Sequence, residues 1–511
     1  MTTTTNRLFG LLLLLIMCST TAVYAQLEYR VQLQGSASSG DYEPLWLNAN
    51  KYGLSSLKKG NGYLRAGVFH PVEEKPTDRR VHFGYGADVA VAAGFTSTFV
   101  VQQAYAEARW LIFDALVGSK ELPMEMKNQQ LSTGSQTLGI NARPIPQVRA
   151  GIHDYWPVPL TRGWLSIKGH VAYGMTTDDG WQRDFTHSQS RRTEHALFHS
   201  KMAAVRIGPK NITFELGLEM ASQFGGTSYQ DDGTVIHNSH NLKAFLHALT
   251  ASGSDATDGR YLNASGNHVG SWLARLNIDQ PSWKLGVYWD QFFEDNSMMV
   301  HVAYNGWGTG EKAFQHVDKR YFGYAFKDGL WGAELQLKRV PWLNTIVVEH
   351  MATKYQGGPT YHDVTRTFSE HITGRDNYYN HNISTGWQHW GQVIGNPLYR
   401  SPLYNTDGRI LVMDNRFVAW HLGISGQPLP SLDYRVLATW QRGYGTYDIV
   451  FPEPQTNTSL LAEVNYKLNS RAPLLQGCSV KAAVGLDHGK LLGNNVGFQI
   501  TLTKQGLLTK K

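Results

Sequence analysis

The groups best suited to chemistry are concentrated in one stretch, Gly374 to Tyr399, GRDNYYNHNISTGWQHWGQVIGNPLY. Its rings, Tyr378, Tyr379, Trp387, Trp390 and Tyr399, stand among Asn377, Asn380, Asn382, Asn396, His381 and His389, and the charged pair Arg375-Asp376 opens it. Flat apolar rings beside amides and carboxylates suit a sugar, because the rings take its apolar face and the polar groups fix its hydroxyls. In this reading Tyr378, Tyr379, Trp387 and Trp390 stack on sugar or shape the loop. Asp376, Asn377 and Asn396 orient hydroxyls or the loop itself, and Arg375 and Arg400 pair with acidic sugar groups. The alternative is a large loop whose rings pack on one another and bind nothing, since exposed rings at this density would cost solubility.

Catalytic constellations are missing from the sequence pattern. There is no His-Glu-x-x-His, no phosphate-binding Gly-x-x-x-x-Gly-Lys and no Gly-x-Ser-x-Gly elbow. Glu349-His350 and Glu370-His371 are isolated pairs and read as strand or loop residues rather than a dyad. His381 and His389 with Asp376 match no metal-ligand spacing. The expectation is therefore no enzyme, no metal and no cofactor; a hydrolase triad assembled from distant residues on a barrel wall stays open.

The elements that must position the loop are strands. In Val81 to Phe95 the odd positions carry Val81, Phe83, Tyr85, Val89 and Val91, and the even positions are small or polar. Ile212 to Met220, Leu165 to Met175, Cys478 to Leu486 and Val496 to Leu502 alternate in the same way. Period-two alternation puts one face in an apolar medium and the other in water. The wet faces carry Lys168, Glu215, Glu219, Arg275, Asp279, Lys284, Asp290, Glu334, Lys338, Glu463 and Lys467, which predicts ions paired across a lumen and holding loops. Short turns near 208–211, 279–282, 340–342, 427–432 and 469–476 alternate with long loops near 175–199, 222–270, 295–329, 356–410 and 446–458.

That parity is the pattern of an outer-membrane β-barrel with short periplasmic turns and long outer loops. It assigns Tyr321 to Lys327 to an outer loop or to a bulged strand extension and counts about 18 antiparallel strands, six of them ahead of Trp164, near 28–36, 61–70, 80–95, 98–110, 113–119 and 147–153. His240 to Leu249 reads as an amphipathic loop helix, and Lys120 to Leu131 as a second short one. Trp164, Trp272, Trp283, Trp342 and Trp440 read as interfacial girdles.

Composition agrees. Leu8 to Met17 is an apolar run too short to span a bilayer, and Val23-Tyr24-Ala25 suits a signal peptidase, so residues 1–25 read as a signal peptide and 26–511 as one barrel domain. One cysteine, Cys478, remains beyond that segment, so no internal disulfide forms. With 15 Trp, 25 Tyr and 51 Gly among 511 residues, the exported chain fits a large β-protein. A net charge of +6 over this length is compatible with acidic glycan or anionic lipid and is no argument for nucleic acid.

Across most of its length the chain resembles the Wzi family of capsule-assembly outer-membrane proteins, in its Bacteroidetes-type form. The matching stretches are Asn141-Ala142-Arg143-Pro144-Ile145-Pro146, Gly266 to Trp272, Phe292 to Ser297, Asp328 to Gly332, Gly374 to Asn380, Gly386-Trp387, Ile394 to Leu398, Asn415-Arg416 and Gly445-Thr446-Tyr447. The resemblance implies an 18-stranded barrel whose outer loops fold inward, no enzymatic activity, and a lectin-like role holding capsular or other surface polysaccharide. Its implied partners are that polysaccharide, outer-membrane lipid and polysaccharide export machinery. Family members with a periplasmic helical bundle differ here, because Leu27 to Phe69 reads as strand and loop. Rival readings are a porin for small solutes, an outer-membrane enzyme, or a non-enzymatic component of a surface-assembly complex.

Overall fold

The computed structural model describes residues 27–72, 80–253, 264–294, 306–307, 311, 316–317, 327–362, 371–470 and 472–508. The alternating segments become eighteen antiparallel wall strands. In chain order they are β1 Glu28–Ser39, β2 Gly60–His70, β3 His82–Ala93, β4 Phe99–Trp110, β5 Phe113–Ser119, β6 Gln147–Pro157, β7 Leu165–Met175, β8 Leu197–Ile207 and β9 Ile212–Phe224. The second half comprises β10 Asn267–Asp279, β11 Trp283–Glu294, β12 Gly329–Leu337, β13 Thr345–Ala352, β14 Phe417–Leu429, β15 Leu432–Gly445, β16 Val450–Lys467, β17 Cys478–Gly489 and β18 Asn495–Leu507. Each strand pairs with its sequence neighbours, and β1 closes the barrel on β18 from Glu28↔Leu507 to Ser39↔Val496. Closure removes the unpaired edges that a bilayer would not tolerate.

The pleat sorts side chains as the sequence pattern requires. Along β3, Phe83, Tyr85, Val89 and Val91 are exposed on the lipid side while Gly84, Gly86, Asp88, Ala90 and Ala92 are buried inside. Long connections gather at one end of the barrel, although 94–98, 446–449 and 490–494 there are short and 468–477 at the other end is longer. The outer end carries 40–59, 120–146, 176–196, 225–266, 295–328 and 353–416, and the other end carries turns such as 111–112, 208–211, 280–282 and 430–431. All six early strand expectations fall on β1 to β6. Leu27 to Phe69 forms β1, a loop with the single turn Leu45–Asn48, and most of β2.

Three expectations change. The long loop expected at 446–458 shrinks to 446–449, because β16 starts at Val450. Pro452 and Pro454 lie in a bulged stretch between Gly445↔Val450 and Gly443↔Gln455, where the ladder does not need their missing donors. Lys120 to Leu131 is turns, not helix. Its backbone is satisfied by side chains instead: Gln129 Nε2 donates to Met124 O at 2.8 Å, and Arg275 Nη1 on the wall donates to Met126 O at 2.9 Å. Trp272 lies in the middle of β10 rather than at a girdle, whereas Trp164 and Trp342 are exposed in end turns. Of the segment Tyr321 to Lys327, residues 321–326 lie outside the described residues.

The lumen is filled. Loops 40–59 and 120–146 and the segment 378–412 fold into it and share one apolar core with inward wall residues, including Leu47, Leu131, Tyr379, Trp387, Phe292 and Phe417. Wall glycines leave room for this plug. A Cβ at Gly485 would come 2.7 Å from the Leu47 side chain, and one at Gly423 would come 2.5 Å from the Leu131 carbonyl.

Candidate functional site

Wall carboxylates hold the plug by receiving donors from loop 120–146. Glu349 accepts from Ser132 Oγ at 2.6 Å, Thr133 N at 2.7 Å, Thr133 Oγ1 at 2.7 Å and Tyr288 Oη at 2.6 Å. Asp290 takes Lys127 Nζ at 2.6 Å and Gln136 N at 3.2 Å. Arg275 pairs with Glu334 at 2.8 Å, and Lys168 with Glu125 of the same loop at 2.6 Å. The wet-face ions thus anchor loop 120–146 and pair with neighbouring wall strands, as Arg435 does with Glu463, rather than with each other across the lumen as expected. Glu349 points inward while His350 packs outside on Trp420 at 4.5 Å, so successive strand residues face opposite sides and form no dyad.

The sequence-predicted residues separate into two groups. Tyr378, Tyr379, Trp387 and Asn396 have no exposed surface. Tyr379 stacks on Tyr399 at 4.0 Å, and Phe292 meets Tyr378 edge-on at 4.7 Å. Tyr379 N–H donates to Glu294 at 2.7 Å, its hydroxyl donates to Gln136 O, and it accepts from Asn396 N at 3.0 Å. A Cβ on Gly395 would come 1.9 Å from that hydroxyl, which explains the glycine between Ile394 and Asn396. Trp387 Nε1 donates to Thr137 O at 2.9 Å, and Asn396 Nδ2 donates to Gly134 O at 2.8 Å. Rings enclosed in this way present no face to a sugar.

The second group is nearer the surface. Asn377 and Asp376 are half-buried; Asn377 Oδ1 accepts from Asn380 at 3.0 Å and from Asn415 at 2.6 Å, while Asp376 N–H donates to Gln356 O at 3.0 Å. Arg400 donates to Tyr404 O at 3.1 Å. Arg375 ends the short strand His371–Arg375, and its side chain is outside the described residues. Trp390 is half-buried and lines an outer-mouth pocket of about 300 Å³.

That pocket is assembled from five outer loops, with Trp390, Trp181, Phe185, Arg143, Gln392 and Lys58 around it. Trp181 and Phe185 stack at 4.9 Å. The Arg143 guanidinium lies 4.2 Å over the Trp390 ring, and its Nη2 donates to Thr96 Oγ1 at 2.9 Å. Its Nε has no partner among the described residues, and neither does Gln392 Oε1. Burial without a carboxylate pushes the Arg143 guanidinium down to about 10, so it stays charged at neutral pH and gains from an anion.

His389 fixes the geometry. Thr177 N–H donates to its Nε2 at 3.0 Å, so Nδ1 carries the proton and donates to Arg143 O at 2.9 Å. Burial lowers His389 to about 4, keeping it neutral. Trp390 and Gly391 both adopt positive φ, at 57° and 79°, and a Cβ on Gly391 would come 2.6 Å from the Trp181 ring. Glycine there lets Trp181 and Trp390 flank one cavity. Rings, a cation without a carboxylate partner and an amide oxygen without a donor, the last two largely buried around the cavity, are the groups that a polyhydroxylated, acidic ligand requires.

Arg143, Trp181, Phe185 and Gln392 were not among the expected site residues. They come from sequence-distant loops, so spacing gave no signal; only the Asn141 to Pro146 stretch marked Arg143. Among the described residues, no three His, Cys, Asp or Glu side chains form a metal cluster.

No family model matches the chain, and no curated protein matches it in sequence. Solved structures match it in fold. Wzi of Escherichia coli, an outer-membrane protein involved in group 1 capsule assembly and a carbohydrate-binding β-barrel, superposes with a TM-score of 0.56 at 12% identity, over 97% of this chain and 87% of that one. OccK3 (OpdO) of Pseudomonas aeruginosa gives 0.44 at 11% identity, over 94% and 96% of the two chains. OccAB4 of Acinetobacter baumannii gives 0.44 at 9%, over 94% and 98%. The eighteen-stranded closed antiparallel wall, with an apolar outer face, makes this chain a large outer-membrane β-barrel.

Proposed function

We propose that this barrel holds acidic surface polysaccharide at the outer face of the cell, as a non-enzymatic, lectin-like protein of the Wzi kind. The observation that carries the reading is the outer-mouth pocket, where the Arg143 cation lies over Trp390 without a carboxylate partner, above a lumen packed with apolar side chains. The carbohydrate-binding role of the E. coli barrel of similar fold supports it. Trp390 and Arg143 bind; Tyr378, Tyr379, Trp387 and Asn396 build the plug that supports them; Asp376, Asn377 and Arg400 shape its rim, and Arg375 adds positive charge to the same loop. Residues 1–25 serve as the export signal. One pocket per barrel binds weakly, and a polymer bridging many barrels is retained by avidity.

Deleting the protein and measuring surface-attached against released polysaccharide tests this. The proposal expects polymer to move into the medium, and unchanged retention removes it. The rival reading is a channel for small solutes, against which the filled lumen weighs; a large steady conductance of the purified wild-type barrel in planar bilayers would favour it.

A further inference from the structure

The lipid-facing wall is not evenly convex. A dent of about 1020 Å³ opens on the outside of β4 to β10. Its floor is small residues, Ala150, Gly169 and Ala203, and its sides are Trp110, Phe113 and Trp272. The register places these residues outward: Ala150 pairs with Val171, and Gly169 pairs with Ala203 and Ile152, all on the face where Val148 and Val171 are exposed. Two features form the dent. β5 is only seven residues long, and β6 inserts extra residues between Ile152↔Gly169 and Trp156↔Ile167, which bends the wall.

The dent has two distinct ends. Above it, the helix Leu242–Thr250 lies against the outside of the barrel. Tyr173 Oη donates to Phe245 O at 2.8 Å, Phe245 packs on Tyr173 and Phe224, and Lys201 Nζ donates to the terminal carbonyl of Leu249. Lys201 pairs with Val171 and so faces lipid; the negative end of the helix offsets that charge. Leu242 is 77% exposed and Leu246 51%, which continues the lipid-facing apolar surface above the dent. Below the dent, Trp110 and Phe113 flank the two-residue turn 111–112 at the periplasmic rim. The neighbouring turns 158–164 and 208–211 carry exposed Arg162 and Lys210, with Trp164 exposed beside Arg162; the exposed carboxylate of this rim is Asp154, in the β6 bulge, so the rim keeps a net positive charge.

We propose that this dent is a seat for one anionic phospholipid of the periplasmic leaflet. Its acyl chains fill the floor of small residues beneath the helix, and its phosphate sits at Arg162 and Lys210. Continuity with the lipid-facing wall identifies the occupant as lipid, and the basic rim fixes the leaflet and the sign of the headgroup. Small residues alone would equally admit a second barrel, but a basic rim on one barrel facing the same rim on another would repel.

The test is native mass spectrometry of the purified full-length barrel in detergent, titrated with phosphatidylglycerol or phosphatidylethanolamine. Wild type is expected to retain one phosphatidylglycerol with a preference over phosphatidylethanolamine. Filling the floor with Ala150→Leu plus Ala203→Leu should weaken retention about tenfold or more, while Ala87→Leu on the lipid face of β3 leaves it unchanged. Arg162→Glu plus Lys210→Glu, at exposed turns that do not bear on folding, should abolish the headgroup preference. Equal retention by all variants overturns the proposal. So does a wild-type dimer that the floor substitutions dissociate, which would identify a second copy as the occupant.

Discussion

Glu349 is the most loaded anchor of the plug, and its removal has a calculable consequence. Its carboxylate receives one donor from Tyr288 on the wall and three from Ser132 and Thr133 on loop 120–146. A hydrogen bond to a charged group contributes ~1.5–3 kcal/mol, so the three loop contacts together represent ~5–9 kcal/mol gross. Glu349→Ala forfeits them, and the stranded donors regain water only if the loop undocks, which caps the cost at the free energy of docking. Glu349→Gln keeps the shape and one acceptor oxygen, with an expected cost of about 2–4 kcal/mol. Because the wall's own ladders are untouched, the barrel should remain folded. Hydrogen exchange should accelerate at residues 131–137 in Glu349→Ala, less in Glu349→Gln, and planar-bilayer recordings should change from a closed baseline to intermittent openings. If Glu349→Ala shows wild-type exchange and no openings while keeping the barrel's heat-modifiable gel shift, the carboxylate is not what docks the loop.

Trp387→Ala opens a cavity against Phe198 and removes the bond to Thr137 O, and should lower plug stability by about 3–5 kcal/mol, read as earlier proteolysis of loop 353–416. Gly395→Ala drives a methyl group into the Tyr379 hydroxyl and the Gln136 carbonyl, and should give the same protease sensitivity without removing any ring. Acid should also loosen the mouth through His389. Its folded value of about 4 lies below the ordinary 6.5, so the unfolded loop binds the extra proton and stability falls as pH drops from about 6.5 to 4, by at most ~3 kcal/mol. Asp414, raised to about 7 by burial, acts in the opposite direction from about pH 7 downward, so the check is the difference in plug protection between wild type and His389→Gln across that window. A difference independent of pH would contradict the assignment of His389 as a buried neutral ring.

The wall was legible because its physics is local. Alternation along β3, β9 and β18 states which face meets lipid, and loop parity states which end is outside, so strand number and closure followed without any tertiary information. The long loop expected at 446–458 is instead the start of β16, where a bulge accommodates Pro452 and Pro454 within the strand. Loop 120–146 misled because its backbone is satisfied by Gln129 and by wall side chains such as Arg275, partners that no helical period encodes. The aromatic stretch 374–399 was found by composition, but composition does not distinguish a ring that fills a lumen from one that faces solvent. Burial separates them: Trp387 is enclosed by Phe198 and Thr137, whereas Trp390, three residues on, turns through a left-handed residue to the outer mouth. Arg143, Trp181 and Gln392 converge on Trp390 only when the loops are stacked on the plug.

The central claim is tested most directly by equilibrium binding of a labelled acidic surface polysaccharide to the purified barrel in proteoliposomes. Wild type is compared with Arg143→Ala and Trp390→Ala, and retained plug protection serves as the folding control. Each substitution should weaken single-site binding by about 1–2 kcal/mol, roughly five- to thirtyfold, with the Arg143 effect shrinking at high salt and for a neutral glycan. Undiminished binding by both variants with their plugs intact would contradict the account.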